Sequence, residues 1–468
     1  MDQKHGPMNH FDTIIIGSGQ GGTPLAIRLA RAGYKTALIE QRAIGGTCIN
    51  DGCIPSKSII ASAKMAYAAA HAGALGIRNT DCYEVDFARV MQREKEIAER
   101  FRKSSEHTLN ATPNLEVIMG TASFSGIKEI SIAAADGGLR TCTGNYFFIN
   151  TGTRPLIPDI EGLRAVPYLT TTTLLELEAL PAHLIILGGG YTSLELGQAF
   201  RRFGSKVTII EKHETILERE DEDIRSAIAS LLEEEQITLL TGASTKKVQQ
   251  NSYRDIVAGI VKNGTHAVVT GSHLLVAAGR QPNTEVLQPG RSGIALDPQG
   301  YIKVNDRLET NISGIYALGD VKGGPAFTHI AYNDYRIVYR NLAEKANLSV
   351  KERLVPYTMF TDPELGRIGI TEREALEQGY NITVARLEMS KVTRGIIEEQ
   401  RRGLLKAVVD KRSGKILGAS FWCMQGGELM SVLQMAMQAG FTWDQVKELV
   451  FAHPTLSESL NNLFFTIE

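Results

Sequence analysis

The chain has 468 residues, 43 % hydrophobic and 22 % charged, with a formal net charge of −2. That is length for about three domains of ordinary size, at a composition typical of globular rather than disordered chains. A near-neutral balance without a basic block argues against nucleic acid or an anionic membrane surface as the main partner. No apolar run reaches the ~20 residues of a membrane span. The short polar start, Met1 to His10, lacks the apolar stretch of a signal peptide, so a cytoplasmic location is expected. Five cysteines in a reducing compartment do not make a disulfide framework. Cys82, Cys142 and Cys423 are scattered, whereas Cys48 and Cys53 form a close pair of the kind used for catalysis or metal binding.

Residues 12–40 (DTIIIGSGQGGTPLAIRLARAGYKTALIE) read as an apolar strand, a glycine turn, an amphipathic helix and a second strand. Gly17 makes the tight turn, Gly19 lets a pyrophosphate approach the backbone at the helix N-terminus, and Gly22 allows close helix–strand packing. Glu40, at the end of the second strand, is placed for ribose hydroxyls. Helices are expected near 55–73 and 86–110. Residues 183–211 (HLIILGGGYTSLELGQAFRRFGSKVTIIE) repeat the pattern with Gly188, Gly190 and Glu211, and Ser193 stands where the third glycine would be, which loosens helix–strand packing. A lone glycine fingerprint is weak evidence; two copies in full strand–helix–strand context imply two bound dinucleotides and electron transfer between them. Ile312 to Asp320 reads as a buried strand ending at a functional turn. Beyond Val355, strands at Leu404 to Val409 and Ile416 to Phe421 alternate with helices at Gly427 to Ala439 and Trp443 to Leu449. The expected fold is α/β: two Rossmann-like dinucleotide-binding domains, residues 1–150 continued at 280–348 and residues 151–279, followed by an α+β domain over 349–468.

Between the first two helices lies GGTCINDGCIPSK, Gly45 to Lys57. Two cysteines separated by four residues at the start of a helix can close a small disulfide that opens easily, and the helix N-terminus favours the thiolate. Half of a zinc site is the competing reading, but no second ligand pair exists to complete a tetrahedral set. The segment resembles the active-site signature of the class I pyridine nucleotide–disulfide oxidoreductases, among them lipoamide dehydrogenase, glutathione reductase and mercuric reductase. TGTRP (Thr151–Pro155), AAGRQPN (Ala277–Asn283), TNISGIYALGD (Thr310–Asp320) and HPTLSE (His453–Glu458) resemble other motifs of that family in its order.

The resemblance implies FAD in the first dinucleotide site and a nicotinamide nucleotide in the second. Cys53 becomes the flavin-facing sulfur and Cys48 the sulfur that exchanges with substrate. Lys57 pairs with Glu195 near the flavin, where residue type alone would suggest two solvated helix charges. Gly46, Thr47, Thr151, Gly152, Gly279, Arg280, Gly319, Asp320 and His329 fall on cofactor-binding motifs, with Asp320 at the ribityl chain and Glu40 at the adenosine ribose. Tyr191 matches an aromatic gate over the nicotinamide pocket, although a tyrosine there could simply pack. Glu211 favours NADH over NADPH, because a carboxylate repels a 2′-phosphate; Lys212 beside it weakens the preference. His453, from the partner subunit of a homodimer, is the acid–base for the exchanging thiol, and Glu458 orients it. The C-terminal domain is then the dimerisation domain.

Substrate identity divides. GPAFTHIA (Gly324–Ala331) and HPTLSE suit a lipoamide-type enzyme, whereas YNDYRIV (Tyr332–Val338) and AHPTLSESLNNLF (Ala452–Phe464) resemble the mercuric-reductase-like group, including copper reductases linked to oxidant resistance. Mercury itself is not expected, since the FFTIE end lacks a vicinal cysteine pair and an N-terminal metal-binding module is missing. Asp51, between the two cysteines, could cap a turn, alter a thiol or attract a cation. Cys423 reads as a packing residue. Three functions follow: a disulfide or dithiol oxidoreductase using Cys48 and Cys53, a metal-ion reductase using the same pair, or a structural flavoprotein subunit. Intact Cys48, Cys53, His453 and Glu458 argue against the last. No resident metal is expected.

Overall fold

The structure, a computed structural model, describes residues 9–78, 83–134 and 137–467. Cys82 and Met1 to Met8 lie outside the described residues. The chain divides into two compact units, one of residues up to Ser58, Gln92–Leu156 and Gly279–Arg353, the other of Ile59–Met91, Ile157–Ala278 and residues from Leu354 on.

In chain order, β1 (Asn9–Ile16), α1 (Gly22–Arg31) and β2 (Thr36–Glu40) form the first strand–helix–strand motif. Leu25, Ala26, Leu29 and Ala30 of α1 are buried as one stripe, which lays the helix on the sheet. Then follow α2 (Gly46–Asn50), α3 (Cys53–His71), α4 (Phe87–Asn110), β3 (Leu115–Met119), β4 (Thr121–Gly126), β5 (Glu129–Ala133), β6 (Leu139–Ile149) and β7 (Thr153–Pro155). The sheet runs β3-β2-β1-β6-β5-β4. Its β1, β2, β3 and β6 are parallel, and Ile14 to Ile16 of β1 lie beside both Ala37 to Ile39 and Phe147 to Ile149. Such runs, apolar on both faces, suit strands covered on both sides.

The second motif is β8 (His183–Leu187), α5 (Tyr191–Phe203) and β9 (Lys206–Ile210), followed by α6 (Glu222–Glu234) and β10 (Ile237–Leu240). An antiparallel trio, β11 (Ala243–Gln250), β12 (Ile256–Lys262) and β13 (Thr265–Gly271), precedes β14 (His273–Val276), which completes the parallel sheet β10-β9-β8-β14. β15 (Arg280–Pro282) pairs with β7, β16 (Ile315–Ala317) joins β6, and α7 (Thr328–Ala343) follows. The strand expected from Ile312 to Asp320 is confined to β16, because Gly314 and Gly319 adopt φ of +79° and +66° at its two ends.

The C-terminal part holds β17 (Tyr357–Met359), β18 (Glu364–Gly369), α8 (Glu372–Glu377), β19 (Ile382–Glu388), α9 (Thr393–Ile397), β20 (Leu404–Asp410), β21 (Ile416–Cys423), α10 (Gly426–Gln438), α11 (Trp443–Lys447) and α12 (Ser459–Phe464). Its antiparallel sheet runs β17-β18-β21-β20-β19 over a core that includes Phe421, Leu433 and Phe464. No helix among the described residues is long and apolar enough to cross a membrane.

Candidate active site

The cysteine loop is folded onto the first glycine turn. Gly45 and Gly46 both take positive φ (+105° and +61°), and a Cβ on Gly46 would stand 2.7 Å from the Cα of Gly19. The backbone N–H of Gly45 donates to Ser18 Oγ at 3.1 Å, and Asn50 Nδ2 donates to the carbonyls of Ile44 and Gly46 at 3.0 Å. The carbonyl of Thr47 accepts from the Asp51 N–H at 2.9 Å, closing the turn after α2. Cys48 therefore sits half-buried in α2, and Cys53 is exposed as the first residue of α3.

A third residue completes this centre. Cys53 Sγ is 3.4 Å from the hydroxyl of Thr328, the first residue of α7. The Cys48 thiol is pushed far up, first by its hydrogen bond to Cys53 and then by burial, while the Thr328 hydroxyl and the Lys57 charge pull the other way. Thr328 is thus shared between the two sulfurs. Sequence reasoning singled out only its neighbour His329, whose ring stacks on Phe327 at 5.3 Å; the signal for Thr328 was its place at the head of a helix following GPAF.

Asp51 lies against Arg42. The guanidinium donates to both carboxylate oxygens, one bond being 2.9 Å, and Arg42 is held above its ordinary range first by that contact. Both Asp51 carboxylate oxygens are therefore engaged by a cation of the chain itself. Cys423 is buried, its thiol pushed up by burial first and by Glu364 second.

The first cradle fits a dinucleotide such as FAD. A Cβ on Gly17 would lie 2.4 Å from the Asn150 carbonyl oxygen, and one on Gly22 2.0 Å from the Gly17 carbonyl oxygen, so only glycine can make this turn. Glu40 closes the strand end: its carboxylate accepts from the N–H and hydroxyl of Ser18 at 2.9 and 2.7 Å and from the Arg42 N–H at 2.9 Å. β7 and β15 bring the junction motifs together. Arg280 donates to the hydroxyl and carbonyl of Thr153 at 2.7 and 2.8 Å, and Thr153 Oγ1 donates to Asp320 at 3.1 Å. Thr151 and Asn283 exchange two bonds of 2.9 Å. Gly152 and Gly279 turn the chain on either side of this pairing, with φ of +65° and +131°.

The second cradle is built alike. A Cβ on Gly188 would lie 2.5 Å from the Ala277 carbonyl oxygen, whereas one on Gly190 would meet open space at the head of α5. Glu211 accepts from the N–H groups of Gly189 and His213 at 2.5 and 2.9 Å. Ser193 is fully buried and its hydroxyl has no partner among the described residues. Tyr191, the first residue of α5, donates its hydroxyl to Glu220. Glu195 on α5 is buried and accepts from the Phe360 N–H at 2.7 Å.

Near the C-terminus, His453 Nδ1 stands 3.0 Å from both oxygens of Glu458 while the ring stays 66 % exposed. An imidazole anchored on one nitrogen and open elsewhere is arranged for proton transfer. Among the described residues, no group of three or more His, Cys, Asp or Glu side chains is placed to hold a metal ion.

Comparisons with known proteins cover most of the chain. The family described as pyridine nucleotide-disulphide oxidoreductase matches residues 11–334, and its dimerisation domain matches residues 355–464. The chain is 38 % identical over 465 residues to the probable pyridine nucleotide-disulfide oxidoreductase RclA of Escherichia coli strain K12, covering 98 % of this chain and 100 % of that one. It is 32 % identical over 458 residues to a mercuric reductase of Staphylococcus aureus, covering 98 % and 82 %. Among solved structures, a Cu(II) complex of the HOCl-induced flavoprotein disulfide reductase RclA from Escherichia coli matches with a TM-score of 0.90 at 37 % identity, covering 98 % of this chain and 100 % of that one.

Proposed function

Because the chain belongs to the pyridine nucleotide-disulphide oxidoreductase family, enzymes acting on sulfur groups with FAD and NAD(P)H, we propose that it reduces a small lipoamide-like disulfide through Cys48 and Cys53. The observation that carries this reading is the contact of the two thiols with each other and with Thr328, over the first glycine turn.

FAD held in the first cradle would supply, from NAD(P)H, the electron pair with which the Cys48–Cys53 disulfide is opened. The rest falls to the chain. Cys48, once deprotonated, attacks one sulfur of the substrate disulfide; a Cys48–substrate bond forms, the substrate S–S bond breaks, and the leaving sulfur takes a proton. Cys53 then attacks Cys48, re-forming the protein disulfide and releasing the second substrate thiol. Thr328 donates to whichever sulfur carries charge. Since the Cys48 proton is held tightly, a base must remove it. His453, fixed by Glu458, is suited to that exchange from across a homodimer built on the dimerisation domain. Lys57 adds positive charge favouring the Cys48 thiolate. Asp320, Glu40, Thr151, Gly152, Gly279 and Arg280 hold the FAD, and Gly188, Gly190 and Glu211 hold the nicotinamide nucleotide. The Glu211 carboxylate at the ribose end supports NADH as the preferred donor. A redox pair that cycles between thiol and disulfide suits a cytoplasmic enzyme.

Cu(II) reduction by the same thiols is the second reading, favoured by the Cu(II) complex recorded for the Escherichia coli relative. Steady-state NADH oxidation with lipoamide, glutathione disulfide and Cu(II), measured for the intact chain and for His453→Ala, separates them. Turnover with lipoamide that collapses in His453→Ala supports disulfide exchange; Cu(II) turnover that survives the substitution while disulfides stay inert overturns it.

A further inference from the structure

We propose that Glu220 is a positioning residue that fixes the ring of Tyr191 at the entrance of the second dinucleotide cradle, setting the affinity for the nicotinamide half of the cofactor without touching it. This rests on the reading of that cradle as the nicotinamide-nucleotide site.

Glu220 is a fully buried carboxylate for which the thiol chemistry has no use. One of its oxygens accepts two phenols: Tyr191 at 2.8 Å and Tyr357 at 2.5 Å, with the two rings 5.5 Å apart. The other oxygen stands 3.4 Å from Nε of Arg367, which is itself buried. Arg367 sits directly opposite Tyr357 in the β17–β18 register and is pinned by donating to the carbonyl of Ile368 at 2.7 Å. The buried carboxylate thus faces a buried cation, while both phenols fall on its other oxygen; the Arg367 approach is a charge contact without a hydrogen bond among the described residues. Burial pushes both tyrosines up, so each remains a donor at any working pH.

The anchor itself is tied down. The next residue, Asp221, accepts from the N–H groups of Glu372 and Arg373 at the start of α8 and pairs with the buried Lys406 at 3.0 Å. Glu220 is therefore held by the C-terminal sheet. Tyr191, in turn, follows Gly190 directly, at the helix N-terminus where a pyrophosphate docks. A ring held there in one orientation spares the cofactor the entropy of ordering it.

The test is calorimetric titration of the oxidised, FAD-loaded protein with NAD+ and, separately, with ADP-ribose, which lacks nicotinamide. Tyr191→Phe keeps the ring and leaves Glu220 paired to Tyr357 and Arg367, so it carries the test even where Glu220→Gln does not fold. The expected result is about a fivefold rise in the NAD+ Kd for Tyr191→Phe and for Glu220→Gln, no further rise in the double variant, and ADP-ribose binding within about twofold throughout. Unchanged or tighter NAD+ binding in Tyr191→Phe, or additive effects, overturns the role of Glu220. Tyr191→Ala separates the layers. Weakened NAD+ binding there with an intact Tyr191→Phe rejects only the positioning by Glu220. No effect in either variant removes Tyr191 from the site and the proposal with it, and absence of NAD+ binding to the unsubstituted protein rejects the reading of the cradle.

Discussion

Replacing Thr328 by valine removes one hydroxyl between two sulfurs and keeps the shape of the side chain. A hydroxyl–sulfur bond of 3.4 Å lies at the long end for sulfur, so its net worth is taken as about 0.5–1.5 kcal/mol. At about 1.4 kcal/mol per pKa unit, its loss raises the thiol it serves by about 0.4–1 unit. The expected direction follows from the donor: a hydroxyl facing the sulfurs favours the thiolate, pulling Cys48 down against the pull of Cys53 and burial. The assay is the pH dependence of iodoacetamide alkylation of the reduced protein, followed at Cys48 and Cys53 separately by peptide mass spectrometry. The Cys48 profile should move to higher pH in Thr328→Val and return in Thr328→Ser. An unchanged profile, or one displaced to lower pH, refutes the assignment of Thr328 to the thiol pair.

Three further outcomes are expected. Glu94 on α4 is buried, one carboxylate oxygen lacks a partner among the described residues, and burial pushes its pKa up to about 7. A raised pKa gives stability that is present below the ordinary carboxylate range and lost as pH rises through 7. Glu94→Gln should therefore match the unsubstituted protein near pH 4.5 but exceed it by about 1–3 kcal/mol at pH 8, after allowance for solvent screening; denaturant titration at the two pH values reads this. Lys406, which bonds Asp221, Asp223 and Glu372 at 2.8–3.0 Å while 2 % exposed, should cost about 3 kcal/mol or more as Lys406→Met, seen as a lower Tm. Asp51→Asn should cost under about 1 kcal/mol, because Arg42 is half-exposed, and should leave any Cu(II) turnover within about twofold. A larger fall in that rate would give Asp51 the cation role that its pairing with Arg42 denies it.

What the sequence reveals here is what short-range physics encodes. The glycines at 17, 22 and 188 stand where a Cβ has no room, and the spacing to Glu40 and Glu211 follows from one strand–helix–strand length. The helix start at Cys53 and the strand at Leu404 agree with the periodicity, and His453 meets Glu458 because they are near in sequence. Long-range chemistry is invisible to the same reading. Thr328 is 275 positions from Cys53, and no local pattern marks a threonine as a thiol partner. Asp51 has its meaning from Arg42, nine positions away across a turn. Glu220 looks like one charge among many in an acidic run until three elements converge on it.

The central claim, that electrons pass through Cys48 and Cys53, is tested most directly by anaerobic titration of the FAD-loaded protein with NADH, with thiol labelling at each point. The account predicts uptake of one electron pair beyond what the flavin takes, with labelling of Cys48 and Cys53 appearing in step and the extra pair absent in Cys53→Ser. Uptake of the flavin's pair alone, with Cys48 and Cys53 labelled equally before and after NADH, would contradict it.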